Sequence, residues 1–131
     1  MKIGFIGLPN SGKTTIFNAL TKQEAPVTAY TNAKAEPNLA VVEVADDRIS
    51  RLSEMYQPKK TISATIEFID FVGVAKGSAK DGLFSGPGME LIKNADALAL
   101  VARNFSNEPE PSPTPINDIE KIIDELLISD L

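Results

Sequence analysis

This 131-residue chain predicts an α/β fold: a three-layer sandwich with a mainly parallel central sheet flanked by helices. Three observations carry that expectation. The apolar run Ile3-Gly4-Phe5-Ile6 passes straight into a glycine-bounded turn, and a helical pattern follows the turn. Apolar runs of strand length recur downstream, with helical spacing between some of them. A single carboxylate, Asp70, closes one of those runs and is followed by Phe71-Val72-Gly73.

The turn is Gly7-Leu8-Pro9-Asn10-Ser11-Gly12-Lys13-Thr14, which fits the P-loop pattern G-x-x-x-x-G-K-[ST] at every fixed position. Gly7 and Gly12 let the backbone bend and approach a ligand closely. Successive N–H groups then face one concavity, an anion nest, and the helix starting near Lys13 adds the positive end of its dipole. Lys13 supplies a compact cation for outer phosphates, and the Thr14 hydroxyl suits Mg²⁺. A turn that merely joins strand to helix would also use the glycines. The strand–turn–helix frame around the complete motif favours phosphate binding. In the helix that follows, Thr15-Ile16-Phe17-Asn18-Ala19-Leu20, the spacing points Ile16, Phe17 and Leu20 inward.

From Thr21 to Pro37 periodicity is lost, and a long loop is expected. Loops of that length in a compact domain are usually functional or mobile, and after a P-loop helix this is where a nucleotide-sensing switch would lie. Leu39 to Val44 is short and β-branched and reads as a strand. Asp46 then offers an N-cap for a helix over about Asp47 to Tyr56, ended before Pro58, with Ile49, Leu52 and Met55 as a core-packing stripe. Thr61 to Asp70 alternates as the next strand. Asp70-Phe71-Val72-Gly73 is D-x-x-G, a weak signal alone. After a strand and downstream of a P-loop it puts a metal-serving carboxylate at Asp70 and a γ-phosphate donor at the Gly73 N–H. Gly73 to Gly88 is a glycine-rich, polar loop and a second candidate switch. Met89 to Asn94 reads as a short helix and Ala97 to Ala102 as a buried strand. Pro109, Pro111, Pro113 and Pro115 exclude regular helix or central strand from 108–115, which reads as an extended linker. Thr114 and Pro115 make an N-cap and first-turn pair for a last helix, whose apolar face is Ile116, Ile119, Ile122, Ile123, Leu126 and Leu127.

Composition narrows the chemistry. With no Cys there is no thiol or disulfide chemistry, and with no His there is no Ser-His-Asp catalysis. A net charge of −5 argues against broad attraction to DNA or an anionic membrane. No apolar run approaches the roughly 20 residues of a membrane span, and no signal-peptide pattern opens the chain. A cytoplasmic location is compatible with these features.

Taken together, Gly4 to Thr21, Glu36-Pro37-Asn38, Ile66 to Gly73, Asp96-Ala97 with Arg103, and Asp118-Ile119-Glu120 with Glu125-Leu126 resemble the amino-terminal part of the YchF / Obg-like ATPase family. That family lies within the translation-factor-related P-loop GTPases. The resemblance covers nearly the whole chain. It implies a P-loop NTPase fold and a nucleotide hydrolase that binds GTP or ATP with Mg²⁺ and associates with ribosomes. By position, Asn10, Ser11, Gly12, Lys13, Thr14 and Thr15 would hold phosphates, with Lys13 catalytic through charge stabilisation. Thr14 and Asp70 would serve the metal. It divides the chain into an incomplete G domain (1–107), the proline-rich linker (108–115) and a helix (116–131) that resembles the start of the family's coiled-coil insertion.

Three departures matter. Lys34 stands where the family has a metal-binding switch Thr. Ser85-Gly86-Pro87-Gly88 replaces a Gly-Asn-Lys-Phe-type run. No N-K-x-D or N-K-x-E base-reading motif is present, which is expected of a fragment. Val74 stands where many GTPases carry a water-orienting Gln; a hydrophobic residue there agrees with the family's habit and implies slow intrinsic turnover or another source of water positioning. Three functions follow for comparison: a Mg²⁺-dependent nucleoside-triphosphatase, a non-enzymatic nucleotide-controlled binding module, and a small-molecule kinase. The last is disfavoured because Arg48, Arg51 and Arg103 are too dispersed for a catalytic lid.

Overall fold

A computed structural model describes residues 1–22, 37–71, 90, 92–107 and 110–129. Its elements are β1 (Lys2–Gly7), α1 (Lys13–Thr21), β2 (Asn38–Glu43), α2 (Asp47–Tyr56), β3 (Thr65–Asp70), β4 (Ala97–Val101) and α3 (Pro115–Ser129). The four strands form one sheet in the order β2-β3-β1-β4. β1 runs parallel to both β3 and β4, while β2 is antiparallel to β3. The mainly parallel sheet is therefore as expected, with its one antiparallel strand next to the strand that carries Asp70.

Side chains of a strand alternate between the two faces of its sheet, and here each face has its own core. Phe5 turns to one side and meets Phe17 of α1, Ala40 and Val101. Its ring lies edge-on to Phe17, with centroids 6.5 Å apart, and stacks on Phe68 at 5.5 Å. Ile6, the next residue, turns to the other side. There it joins Ile69, Phe71, Ile92 and Ile122 of α3. Helix, sheet and helix make the three layers. Burial of these side chains is the main favourable term holding them, at about 25 cal/mol per Å² of apolar surface removed from water.

Several local expectations shift. Of the three α1 residues expected inward, Phe17 is fully buried, but Ile16 and Leu20 remain 41% and 49% exposed. A nine-residue helix lying on a sheet presents only a narrow stripe to it. The α2 stripe is not core either: Ile49, Leu52 and Met55 are all exposed. Helical spacing identifies an apolar face but not what lies opposite it. β3 begins at Thr65 rather than Thr61, because its antiparallel partner ends at Glu43, which pairs with Thr65. One further bond, Val44 N–H to the Ala64 carbonyl, continues the pairing. β2 itself is displaced by one residue from the expected span. β4 ends at Val101 and is half-buried rather than buried, since it lies at the sheet edge and Leu98 is 39% exposed. α2 has the expected Asp46 cap, whose carboxylate accepts from the Arg48 N–H. Glu90, Ile92 and Lys93 are helical as expected. Among the described residues no helix is long and apolar enough to cross a membrane.

Candidate functional site

β1 delivers the chain to the turn at Gly7, and the packing there admits only glycine without rearrangement. A Cβ on Gly7 would lie 2.5 Å from the Val101 carbonyl oxygen and 2.8 Å from Ser11 Oγ. The bend closes with the Ser11 N–H donating to the Leu8 carbonyl at 3.2 Å. Asn10 and Gly12 both take the left-handed conformation, at φ 62° and 87°. Gly12 is the N-cap of α1 and has no side chain to cap with. The first helical bond runs from the Ile16 N–H to the Gly12 carbonyl. The amides of Lys13, Thr14 and Thr15 therefore have no acceptor within the helix, which is the usual state of a first turn. Such a terminus attracts anions.

The side chains of the turn converge on Asp70. Parallel pairing sets Asp70 opposite Phe5, so the carboxyl end of β3 lies beside the start of the turn. Lys13 Nζ donates to Asp70 Oδ1 at 2.8 Å, and Thr14 Oγ1 donates to Oδ2 at 2.7 Å. The ion pair is buried, with side-chain exposures of 8% for Lys13 and 1% for Asp70. Asn38 Nδ2 gives a third bond, to Oδ2 at 3.3 Å. A buried carboxylate needs partners for both oxygens, and these three donors provide them.

A second group of contacts ties the segment after β4 to the turn. Asn10 Nδ2 donates to Glu110 Oε1 at 2.9 Å. Arg103 Nη2 donates to the Pro111 carbonyl at 2.6 Å. The Phe105 ring passes 3.6 Å from where a Cβ on Gly12 would sit. Two buried polar atoms in this region, Ser11 Oγ and Arg103 Nη1, have no hydrogen-bond partner.

Of the residues singled out from the sequence, Lys13, Thr14 and Asp70 meet directly. Ser11 and Gly12 lie in the turn, Asn10 is exposed and bound to Glu110, and Thr15 is exposed on the first helical turn. Gly73, Val74, Lys34 and the Ser85-Gly86-Pro87-Gly88 run lie outside the described residues. Asn38 and Glu110 were not singled out as site residues. Asn38 had a signal in the Glu36-Pro37-Asn38 stretch, while Glu110 had none. One carboxylate and one hydroxyl are hard oxygen donors that suit Mg²⁺, which normally keeps waters and substrate phosphates as its other ligands. Among the described residues no group of three or more His, Cys, Asp or Glu is placed to hold a metal by itself.

Comparison with known proteins identifies the family. The profile of the family described as 50S ribosome-binding GTPase matches residues 2–129. A "Ribosome-binding ATPase YchF" of Bacillus subtilis (strain 168) is 39% identical over 132 residues, covering 98% of this chain and 36% of that protein. The protein of the same name from Escherichia coli O157:H7 is 37% identical over 134 residues, covering 99% of this chain and 37% of that protein. The solved structure of the Schizosaccharomyces pombe YchF GTPase superposes with a TM-score of 0.69 at 35% identity, covering 99% of this chain and 36% of that one. This chain thus spans 36–37% of the length of these relatives. The resemblance to the YchF / Obg-like family is borne out.

Proposed function

The chain belongs to the 50S ribosome-binding GTPase family, and from that membership we propose that it is the phosphate-binding part of a Mg²⁺-dependent nucleoside-triphosphatase of the YchF type. It acts in the cytoplasm as a ribosome-associated switch that binds and hydrolyses GTP or ATP. The observation that carries this reading is the meeting of Lys13 and Thr14 with the Asp70 carboxylate at the uncapped start of α1.

In this reading Asn10 to Thr15 wrap the phosphates, and their amides donate to phosphate oxygens. The Gly73 N–H donates to the γ-phosphate. Lys13 exchanges its bond to Asp70 for the outer phosphates and offsets negative charge there as it develops. Thr14 and Asp70 would hold Mg²⁺, which when bound would neutralise phosphate charge. Rate enhancement comes from positioning and fixed charge, without a covalent intermediate. The Asp70 pair keeps the Lys13 ammonium satisfied until nucleotide arrives.

The test is nucleotide binding and phosphate release with both ATP and GTP, comparing the chain with Lys13→Ala and with Lys13→Met, which keeps the apolar stem. Loss of a charge-assisted hydrogen bond is expected to weaken Mg²⁺-nucleotide binding about 10- to 100-fold in either variant. Equal binding and equal release by all three proteins would reject the site. Val74 and Lys34, which stand where familiar catalytic pieces would be, motivate a second reading, a nucleotide-controlled binding module with negligible turnover. Single-turnover kinetics separates the two: no hydrolysis above background over hours, with nucleotide binding retained, favours the module.

A further inference from the structure

Asn38 is the first residue of β2, and the antiparallel register sets it directly across from Asp70. Its amide donates to Asp70 Oδ2 at 3.3 Å, the same oxygen that accepts from Thr14. The other two donors to this carboxylate are the groups that a metal–nucleotide complex would recruit. Once Lys13 turns to phosphate and Thr14 to a cation, the buried Asp70 loses two of the three hydrogen bonds it receives among the described residues. Asn38 has no such competing claim. It is neutral, so it donates without repelling a cation, and it is anchored by a strand paired residue by residue with β3.

We infer that Asn38 is a positioning residue for Asp70: it holds Oδ2 and so fixes the direction in which the carboxylate faces a bound Mg²⁺. This inference rests on the nucleotide reading proposed above. It acts through Asp70 alone and makes no contact of its own with phosphate. Removing Asn38 therefore weakens the metal-dependent part of nucleotide binding and spares the metal-independent part.

The experiment titrates the whole 131-residue chain with fluorescent ATP and GTP, first in excess EDTA and then across a range of Mg²⁺ concentrations. It compares the unsubstituted chain with Asn38→Ala and with Asn38→Leu, which preserves side-chain size. Thermal unfolding without nucleotide reports whether each variant is folded, and either folded variant suffices. The expected result is a rise of about tenfold in the Mg²⁺ concentration for half-maximal binding, in line with loss of a hydrogen bond to a charged group. Affinity in EDTA stays unchanged. The inference is overturned if a folded variant has the Mg²⁺ dependence of the unsubstituted chain, or if affinity falls by the same factor with and without Mg²⁺. Failure of the unsubstituted chain to bind either nucleotide would instead remove the nucleotide reading itself, and this assignment with it.

Discussion

At the scale of single residues, the turn after β1 works because of what is missing from it. Gly7 leaves room for the Val101 carbonyl and Ser11 Oγ, and the nearer of the two, the carbonyl, belongs to the backbone of a paired strand. Gly7→Ala is expected to destabilise the fold by about 2 kcal/mol through overpacking, read by urea unfolding. A Gly4→Ala change makes a useful contrast: its closest contact would be the Phe71 ring edge at 2.6 Å, a side chain rather than backbone. The residues of the turn were legible because the motif constrains positions close together in sequence. Asp70 was legible because D-x-x-G, weak by itself, follows a strand downstream of a complete P-loop motif. Asn38 was not legible as its partner, since its alignment with Asp70 depends on strand register across 32 positions and no local pattern encodes it. Glu110 met Asn10 from 100 positions away, for the same reason.

At the scale of elements, caps were easier to read than faces. Asp46 was identified as the start of α2 from local chemistry, and the structure adds that Arg48 binds it through side chain and backbone N–H. The Arg48 side chain, and then its N–H, hold the Asp46 carboxyl below its ordinary 3.8. A depressed folded-state value means that the stabilisation is fully present above 3.8 and is lost as pH falls through the folded value. Thermal unfolding of the chain and of Asp46→Ala should therefore differ most near neutral pH. The two curves should converge as pH is lowered below 3.8. The apolar face of α2 was the opposite case. Its spacing was correct, but whether that face met a core depended on the path of the chain around it.

At the scale of the whole molecule, the sheet separates two cores and α3 closes one of them. Ile122 is 1% exposed in that core, whereas Ile116 on the same helix is 74% exposed. Ile122→Ala should cost about 3 kcal/mol by urea unfolding, from lost burial and the cavity left behind. Ile116→Ala should stay within about 0.5 kcal/mol. The sequence predicted the layers and the parallel majority, because glycine-rich turns and alternating elements are local signals. Strand order was not legible, since β1 pairs with strands that lie far along the chain.

That distance has a consequence for how the protein is made. β1 leaves the ribosome before β3 and β4, yet it ends up between them in the sheet, so both of its neighbours are translated much later. Its outer edge is closed only when β4 arrives, where Lys2 meets Asp96 from 94 positions away. Until then the growing chain carries a bare hydrophobic ribbon with unpaired amides, the kind of exposure that slows folding and invites wrong pairings. Residues 2 to 101 must all be synthesised before β1 has both of its neighbours.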